Sequence, residues 1–130
     1  MINTRTSSIW IDDNNTVHIS IHPNSAISLE DAQKTTETVA MMVDGYEASL
    51  LLLVNTRGTK SMSREARAHL ASVQTDLILA RAIVIDSPIG QIIANFFLNI
   101  NHPVIPTQMF TNEDAALAWL RTFFEKERGA

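Results

Sequence analysis

From residue 50 onward, short apolar runs that suit strands alternate with stretches whose apolar residues recur at helical spacing. The run Leu50-Leu51-Leu52-Leu53-Val54 shows no polar alternation, which is the pattern of a strand covered on both faces by helices. Ahead of it, Ser8 to Asp12 and Thr16 to His22 flank Asp13-Asn14-Asn15, residues that tolerate turn conformations, so the N-terminus reads as a β-hairpin. In its second strand Val17, Ile19 and Ile21 share one face and His18, Ser20 and His22 the other, so one buried face is expected. Pro23 to Ser28 reads as a loop. Ser28 before Leu29-Glu30-Asp31 is an N-cap signal with acids in the first turn. The helix it opens runs to about Val43, places Leu29, Ala32, Thr36, Val39, Ala40 and Val43 in one stripe, and closes at Asp44-Gly45.

Three strand-helix units follow. After the strand at 50 to 54 and a polar connection from Asn55 to Met62, Ser63 caps a helix on which Ala66, Leu70 and Val73 share a face. Ala82 to Asp86 is the next strand, and Ser87-Pro88 starts a helix to about Asn101, because proline fits the first helical position. That helix ends at Asn101-His102-Pro103, since the residue before proline is driven out of the helical region. Thr107 to Phe110 is a short strand, and Thr111-Asn112-Glu113-Asp114 caps a last helix to about Lys126. Ala115, Ala116, Trp119, Leu120 and Phe123 form its buried face, with Leu117 and Phe124 beyond that arc.

Composition narrows the function classes. At 130 residues and 45% apolar content, one domain spanning 1–130 is expected to close a core without metal or disulfide support. The absence of cysteine excludes a thiolate nucleophile and a zinc-thiolate site and favours a reducing, cytoplasmic setting. No apolar run approaches the roughly 20 residues that span a bilayer, so no transmembrane segment is expected. Ten basic residues scattered among fourteen acidic ones give a net charge of -4, which offers nucleic acid no footprint.

The order β-β-α-β-α-β-α-β-α resembles the STAS fold of anti-sigma-factor antagonists, and more closely a group of uncharacterised bacterial SpoIIAA-like proteins. Three segments carry the resemblance: Ser61-Met62-Ser63-Arg64-Glu65-Ala66-Arg67, Asp86-Ser87-Pro88 and Asn95-Phe96-Phe97-Leu98. It covers Ser8 to about Lys126 and implies an α/β domain with a mixed sheet and helices packed on it. In phosphorylatable STAS proteins an aspartate and a serine stand at the start of the helix after the buried strand. Here Ser63 and Arg64 occupy those places, so the phosphoacceptor pattern is not reproduced, although Ser61 and Ser63 remain hydroxyls open to modification.

Candidate chemistry is sparse. His18 and His22, on one strand at about 3.3 Å per residue, stand roughly 13 Å apart and cannot share a metal ion. His69 sits at the edge of an apolar stripe with no evident partner. Asp86-Ser87 lacks the GxSxG turn of a hydrolase. No cofactor, metal site or catalytic group is therefore predicted. In open α/β sheets ligands bind beyond the carboxyl ends of the strands, which makes Asn55, Arg57, Ser63, Arg64, Asp86 and Ser87 the candidate ligand-binding residues, with ordinary helix capping as the competing account. Leu98, Leu117 and Phe124 lie outside the core stripes and are candidate interface residues. Two functions stay open: a non-enzymatic protein-interaction or regulatory module, with self-association as a homodimer, and a binder of a small apolar or anionic ligand near Arg57, Arg64 and Ser87.

Overall fold

In a computed structural model, residues 1–72, 77–98 and 105–129 are described, with the side chains of all of these but 71, 72, 96–98, 128 and 129. Strands β1 (Ile2–Asn3), β2 (Ser7–Ile11) and β3 (Thr16–Ile21) run antiparallel. The hairpin between β2 and β3 closes on Asp12, whose Oδ1 accepts the backbone N–H groups of Asn14 (2.8 Å) and Thr16 (3.1 Å). Asn15 there takes φ 54°, a left-handed conformation that asparagine tolerates. After β4 (Ser25–Ile27), helix α1 (Leu29–Val43) crosses to β5 (Leu50–Asn55), which pairs parallel with β3. Next come β6 (Thr59–Met62), α2 (Arg64–Ser72), β7 (Ile78–Val84), α3 (Pro88–Leu98), β8 (Thr107–Phe110) and α4 (Glu113–Gly129). The main sheet is mixed, in the order β1-β2-β3-β5-β7-β8, and β4 and β6 form a separate parallel pair. This is the α/β fold predicted, with its main elements in the predicted order.

Several expectations need correction. The segments read as a loop and a polar connection contain β4 and β6, which align Ser25 with Thr59 and Ile27 with Met62. Both strands are too short and polar to show a period, yet each places one apolar residue, Ile27 or Met62, in the core. Gly58 makes their approach possible: it adopts φ 85°, its carbonyl accepts the Asn24 N–H (2.6 Å), and a side chain would meet Pro23 at 3.2 Å. Strand β7 begins at Ile78 rather than Ala82, because Arg81 interrupts an otherwise apolar run that continues through it. Helix α1 has the predicted bounds, but its buried face is turned. Leu29 is 37% exposed and Ala40 is exposed, while Thr35 and Thr38 are buried. Their hydroxyls donate to the carbonyls of Asp31 (3.1 Å) and Lys34 (2.7 Å), so these threonines enter the interior with their polar atoms satisfied.

The sheet separates two layers. On one side α4, the one described helix there, covers Leu51, Leu53, Ala80, Ala82 and Val84 with Ala116 and Leu120. On the other side lie α1, α2 and α3, and the core there is divided. One cluster joins Ile21, Ile27, Met62, Ile83, Ile85 and Ile93, and another joins Ile9, Val17, Val43, Leu50, Ile78 and Ile105. The alternation along β5 therefore matches a strand covered on both faces, except that Leu52 and Val54, at the centre of the sheet, are only half-buried. Val73 and the segment Asn101-His102-Pro103 lie outside the described residues, as do the side chains of Phe96, Phe97 and Leu98.

Candidate functional site

The half-exposure of Leu52 and Val54 has a direct cause. Between the two clusters on the α1–α3 side lies a chamber of about 360 Å³, inside the roughly 300–1,000 Å³ common for small-molecule sites. Its floor is Ile19, Ile21, Leu52, Val54, Ile78 and Arg81 of β3, β5 and β7. Its roof is Ala32, Thr35, Thr36, Val39, Ala40 and Val43 of α1, with Met62, Leu70 and Ile93 on the flank towards α2 and α3 and Thr6, Ser7, Ile27, Thr56 and Ile105 completing the wall. The volume follows from the residues of α1: alanines and threonines stand over the middle of the sheet where leucines would fill the space. Ala40 is both exposed and part of the lining, so the chamber communicates with solvent beside α1. Near this edge the Thr36 hydroxyl and His69 Nε2 share a hydrogen bond of 2.9 Å, which ties α1 to α2 and gives His69 the partner its sequence context does not reveal.

Arg81 is the one charged residue among the described lining residues. A bulge brings it there: Leu50 and Leu52 of β5 align with Ile78 and Arg81 of β7, so β7 carries one extra residue between them and both of its partners face the chamber. Thr107 Oγ1 accepts from Arg81 Nη2 (3.1 Å) and Nε (3.3 Å). Burial lowers the Arg81 pKa to about 10, which leaves the guanidinium cationic at neutral pH.

Four of the six residues proposed from the strand ends make local hydrogen bonds. Asn55 Oδ1 accepts from the backbone N–H (3.0 Å) and Nε (3.1 Å) of the exposed Arg57. Ser63 Oγ caps α2 by accepting from Ala66 N–H (3.1 Å), and Ser87 Oγ caps α3 by accepting from Gly90 N–H (3.3 Å). Arg64 and Asp86 are exposed at the starts of these helices. The register does bring Asn55 beside Val84, two residues before Asp86, but none of the six lines the chamber. Leu117 and Phe124 are half-buried and pack against the cluster of Leu51, Leu53 and Ala82. Their position beyond the predicted arc is explained by α4 spanning β5, β7 and β8 as the one described helix on that face. Asn112, not Thr111, caps this helix.

The hairpin holds a second polar group. His18 Nε2 donates to Asp12 Oδ2 (2.7 Å), and its ring stacks on Trp10 at 4.7 Å with the planes 8° apart. His18 is thus buried on the face expected to be open. Burial would raise the Asp12 carboxyl, but hydrogen bonds from His18, Thr16 and Asn14 outweigh it and hold the carboxyl below its ordinary value. Among the described residues, no three His, Cys, Asp or Glu side chains are gathered as a metal site would require.

A family model described as a domain of unknown function, DUF7793, matches residues 9–124. The chain belongs to the DUF7793 family. The match takes in β3, β5, β7 and β8, and all of α1, α2 and α3, so the chamber lies inside the DUF7793 region apart from Thr6 and Ser7. Among solved structures, an uncharacterized protein of the DUF3478 family with a SpoIIAA-like fold, from Shewanella loihica PV-4, is similar over 92% of this chain and 98% of that one. The TM-score is 0.61 at 15% identity, which shows a SpoIIAA-like fold for this DUF7793 chain and nothing of its chemistry. No curated protein matches the sequence.

Proposed function

We propose that this SpoIIAA-like domain is a non-catalytic binder of a small, largely apolar molecule, held between the sheet and α1, α2 and α3. The observation that carries the reading is the chamber, a solvent-connected volume of about 360 Å³ lined chiefly by aliphatic side chains. A void of that size forfeits packing contacts, and natural cores seldom leave one larger than a few atoms. An apolar occupant restores those contacts and removes the exposed surface of Ile19, Leu52 and Val54 from water. The hydroxyls of Ser63 and Ser87 support a non-catalytic role, because both are engaged in capping helices. The alternative of a protein-interaction module has lost part of its motivation, as Leu117 and Phe124 are half-buried against the cluster beneath α4.

Titration with 1-decanol followed by isothermal calorimetry tests the reading. Saturable one-to-one binding with a negative heat-capacity change is expected, since that change marks burial of apolar surface. The absence of both binding heat and any rise in melting temperature would count against the chamber as a ligand site.

A further inference from the structure

We infer that the occupant is an aliphatic molecule whose uncharged, oxygen-bearing head hydrogen-bonds to the hydroxyls of Thr6 and Ser7, with its chain running under α1 towards Val43. This rests on the binding function proposed above and specifies the head group and the direction in which the molecule lies. Thr6 and Ser7 are 1% and 2% exposed, and both line the chamber. Their backbones are engaged. Thr4 Oγ1 accepts from the N–H groups of Thr6 (3.3 Å) and Ser7 (3.0 Å), the Thr6 carbonyl accepts from His22 N–H (2.7 Å), and the Ser7 carbonyl accepts from Thr4 N–H (2.8 Å). Their hydroxyls, by contrast, make no hydrogen bond among the described residues. Polar groups inside a protein are nearly always paired, so two adjacent hydroxyls left open on the chamber wall mark where an occupant supplies the partner.

The strands set the direction. Ser7 shares its face of β2 with Ile9, which packs with Val43 of α1, so its side chain points to the α1 side of the sheet. Ser7 aligns with Ile21 and Ser20 with Asn55, which puts the two hydroxyls at the carboxyl ends of β3 and β5, level with Thr56. Arg81 lies four residues before that level, since Asn55 aligns with Val84, a distance of about 13 Å along the strands at 3.3 Å per residue. Arg5, next to Thr6 in sequence, is bound to Asp31 (Nε to Oδ1, 2.9 Å). The head therefore meets hydroxyls. A hydroxyl both donates and accepts, so an alcohol or carbonyl oxygen is satisfied there, whereas a full charge withdrawn from water against two neutral groups lacks compensation. At this end Ala32 packs with Ile21, while at the other Val43 packs with Leu50 and Ile78. Between them the α1 lining spans about 16 Å at 1.5 Å per residue over Ile19, Leu52 and Val54, an aliphatic path for the chain.

Four ten-carbon probes, 1-decanol, decanoate, decylamine and the oxygen-free butylbenzene, are titrated at pH 7 into the wild-type chain and into the double variant Thr6→Val, Ser7→Ala. The inference requires 1-decanol to bind the wild type at least about tenfold more tightly than either charged probe. The double variant is expected to bind 1-decanol about tenfold more weakly, the loss of two hydrogen bonds, and butylbenzene as the wild type does. Without ligand it should melt no lower than the wild type, because neither hydroxyl has a hydrogen bond within the described structure to lose. Unchanged 1-decanol affinity in the double variant would overturn the inference while leaving the chamber as an apolar site, with the two hydroxyls satisfied by water. A charged probe that matches 1-decanol on the wild type would overturn it too. Failure of all four probes on the wild type would overturn the binding function itself, and this inference with it. Should the double variant not fold or not hold butylbenzene, the single variants Thr6→Val and Ser7→Ala decide: at least one must weaken 1-decanol and spare butylbenzene, and the inference falls if neither does.

Discussion

Two alanines, Ala32 on α1 and Ala116 on α4, are 1% and 0% exposed, and each faces the sheet from a helix. They differ in what lies in front of them: Ala32 stands where the cluster of Ile21, Ile27 and Met62 borders the chamber, whereas Ala116 sits inside the packed cluster of Leu51, Leu53, Ala80, Ala82 and Val84. The same substitution to leucine should therefore act with opposite sign. At position 32 three added carbons enter empty space and are withdrawn from water, worth about 0.8 kcal/mol each, or about 2.4 kcal/mol together. Against this stand about 0.5–1 kcal/mol of side-chain entropy and about 0.2 kcal/mol of helix propensity. Ala32→Leu is thus expected to stabilise the chain by about 1–1.5 kcal/mol, a rise in melting temperature of roughly 3–6 °C for a domain of this length. At position 116 the same atoms meet occupied volume, and overpacking costs about 1–3 kcal/mol. Urea and thermal unfolding of the two variants measure both effects. Ala32→Leu should in addition weaken 1-decanol by about tenfold, as it takes up part of the site. Destabilisation of both variants to a similar degree would refute the argument, because it would mean that the space before Ala32 is filled.

Further outcomes follow from the polar contacts. The Arg5 guanidinium holds the Asp31 carboxyl below its ordinary value, more than offsetting the effect of burial, with Ser28 adding hydrogen bonds. A lowered folded pKa means a stability contribution present above the unfolded value, near about 4, and lost as pH falls through the folded value. Arg5→Gln should therefore narrow its stability gap to wild type as pH drops below about 4 in acid unfolding curves, and a gap independent of pH would contradict this. His18→Phe keeps a ring on Trp10 but removes a donor from Asp12, so the Asp12 carboxyl should titrate at higher pH by carbon-detected NMR, with a stability loss of about 1 kcal/mol. In Gly90→Ala the new Cβ would stand 2.9 Å from Thr56 Oγ1 and 3.1 Å from Ile85 Cβ. Thr56 is buried and donates to the Val84 carbonyl (2.8 Å), so it cannot yield, and a loss of about 1–2 kcal/mol is expected in urea unfolding although alanine is the better helix former.

Elements with a strong period were legible in the sequence. Helix α1 between Ser28 and Gly45, the strand Leu50–Asn55 and the strand Thr107–Phe110 stand where patterning and caps place them. Elements without a period were not. Strands β4 and β6 are stabilised by pairing with each other, and nothing in Ser25–Ile27 alone announces it. Arg81 hid the first half of β7, because a charged residue in an apolar run reads as a boundary, whereas here its guanidinium is bound to Thr107 inside the fold. The threonines of α1 misled in a similar way, since their hydroxyls are satisfied within the helix.

The candidate site was less legible than the fold. Asn55, Ser63 and Ser87 are polar residues at the ends of strands, and their positions suit both a ligand and a cap; the hydrogen bonds show them as caps and turn formers. A chamber is a property of facing surfaces, formed where Ala32, Thr35 and Thr36 of α1 meet Leu52 and Val54 some twenty residues later. The sequence did hold two traces of it: a stripe of small residues on a helix opposite a leucine-rich strand, and an arginine within an apolar run.

The most direct test of the account is a methyl-resolved NMR titration of the isotope-labelled chain with 1-decanol. Along β5, Leu52 and Val54 face the chamber, while Leu51 and Leu53 face α4. The account predicts saturable shifts for the methyls of Leu52, Val54, Ile19 and Ile93, with those of Leu51, Leu53 and Leu120 nearly unmoved. Shifts of equal size on both faces of the sheet, or none on either, would contradict it.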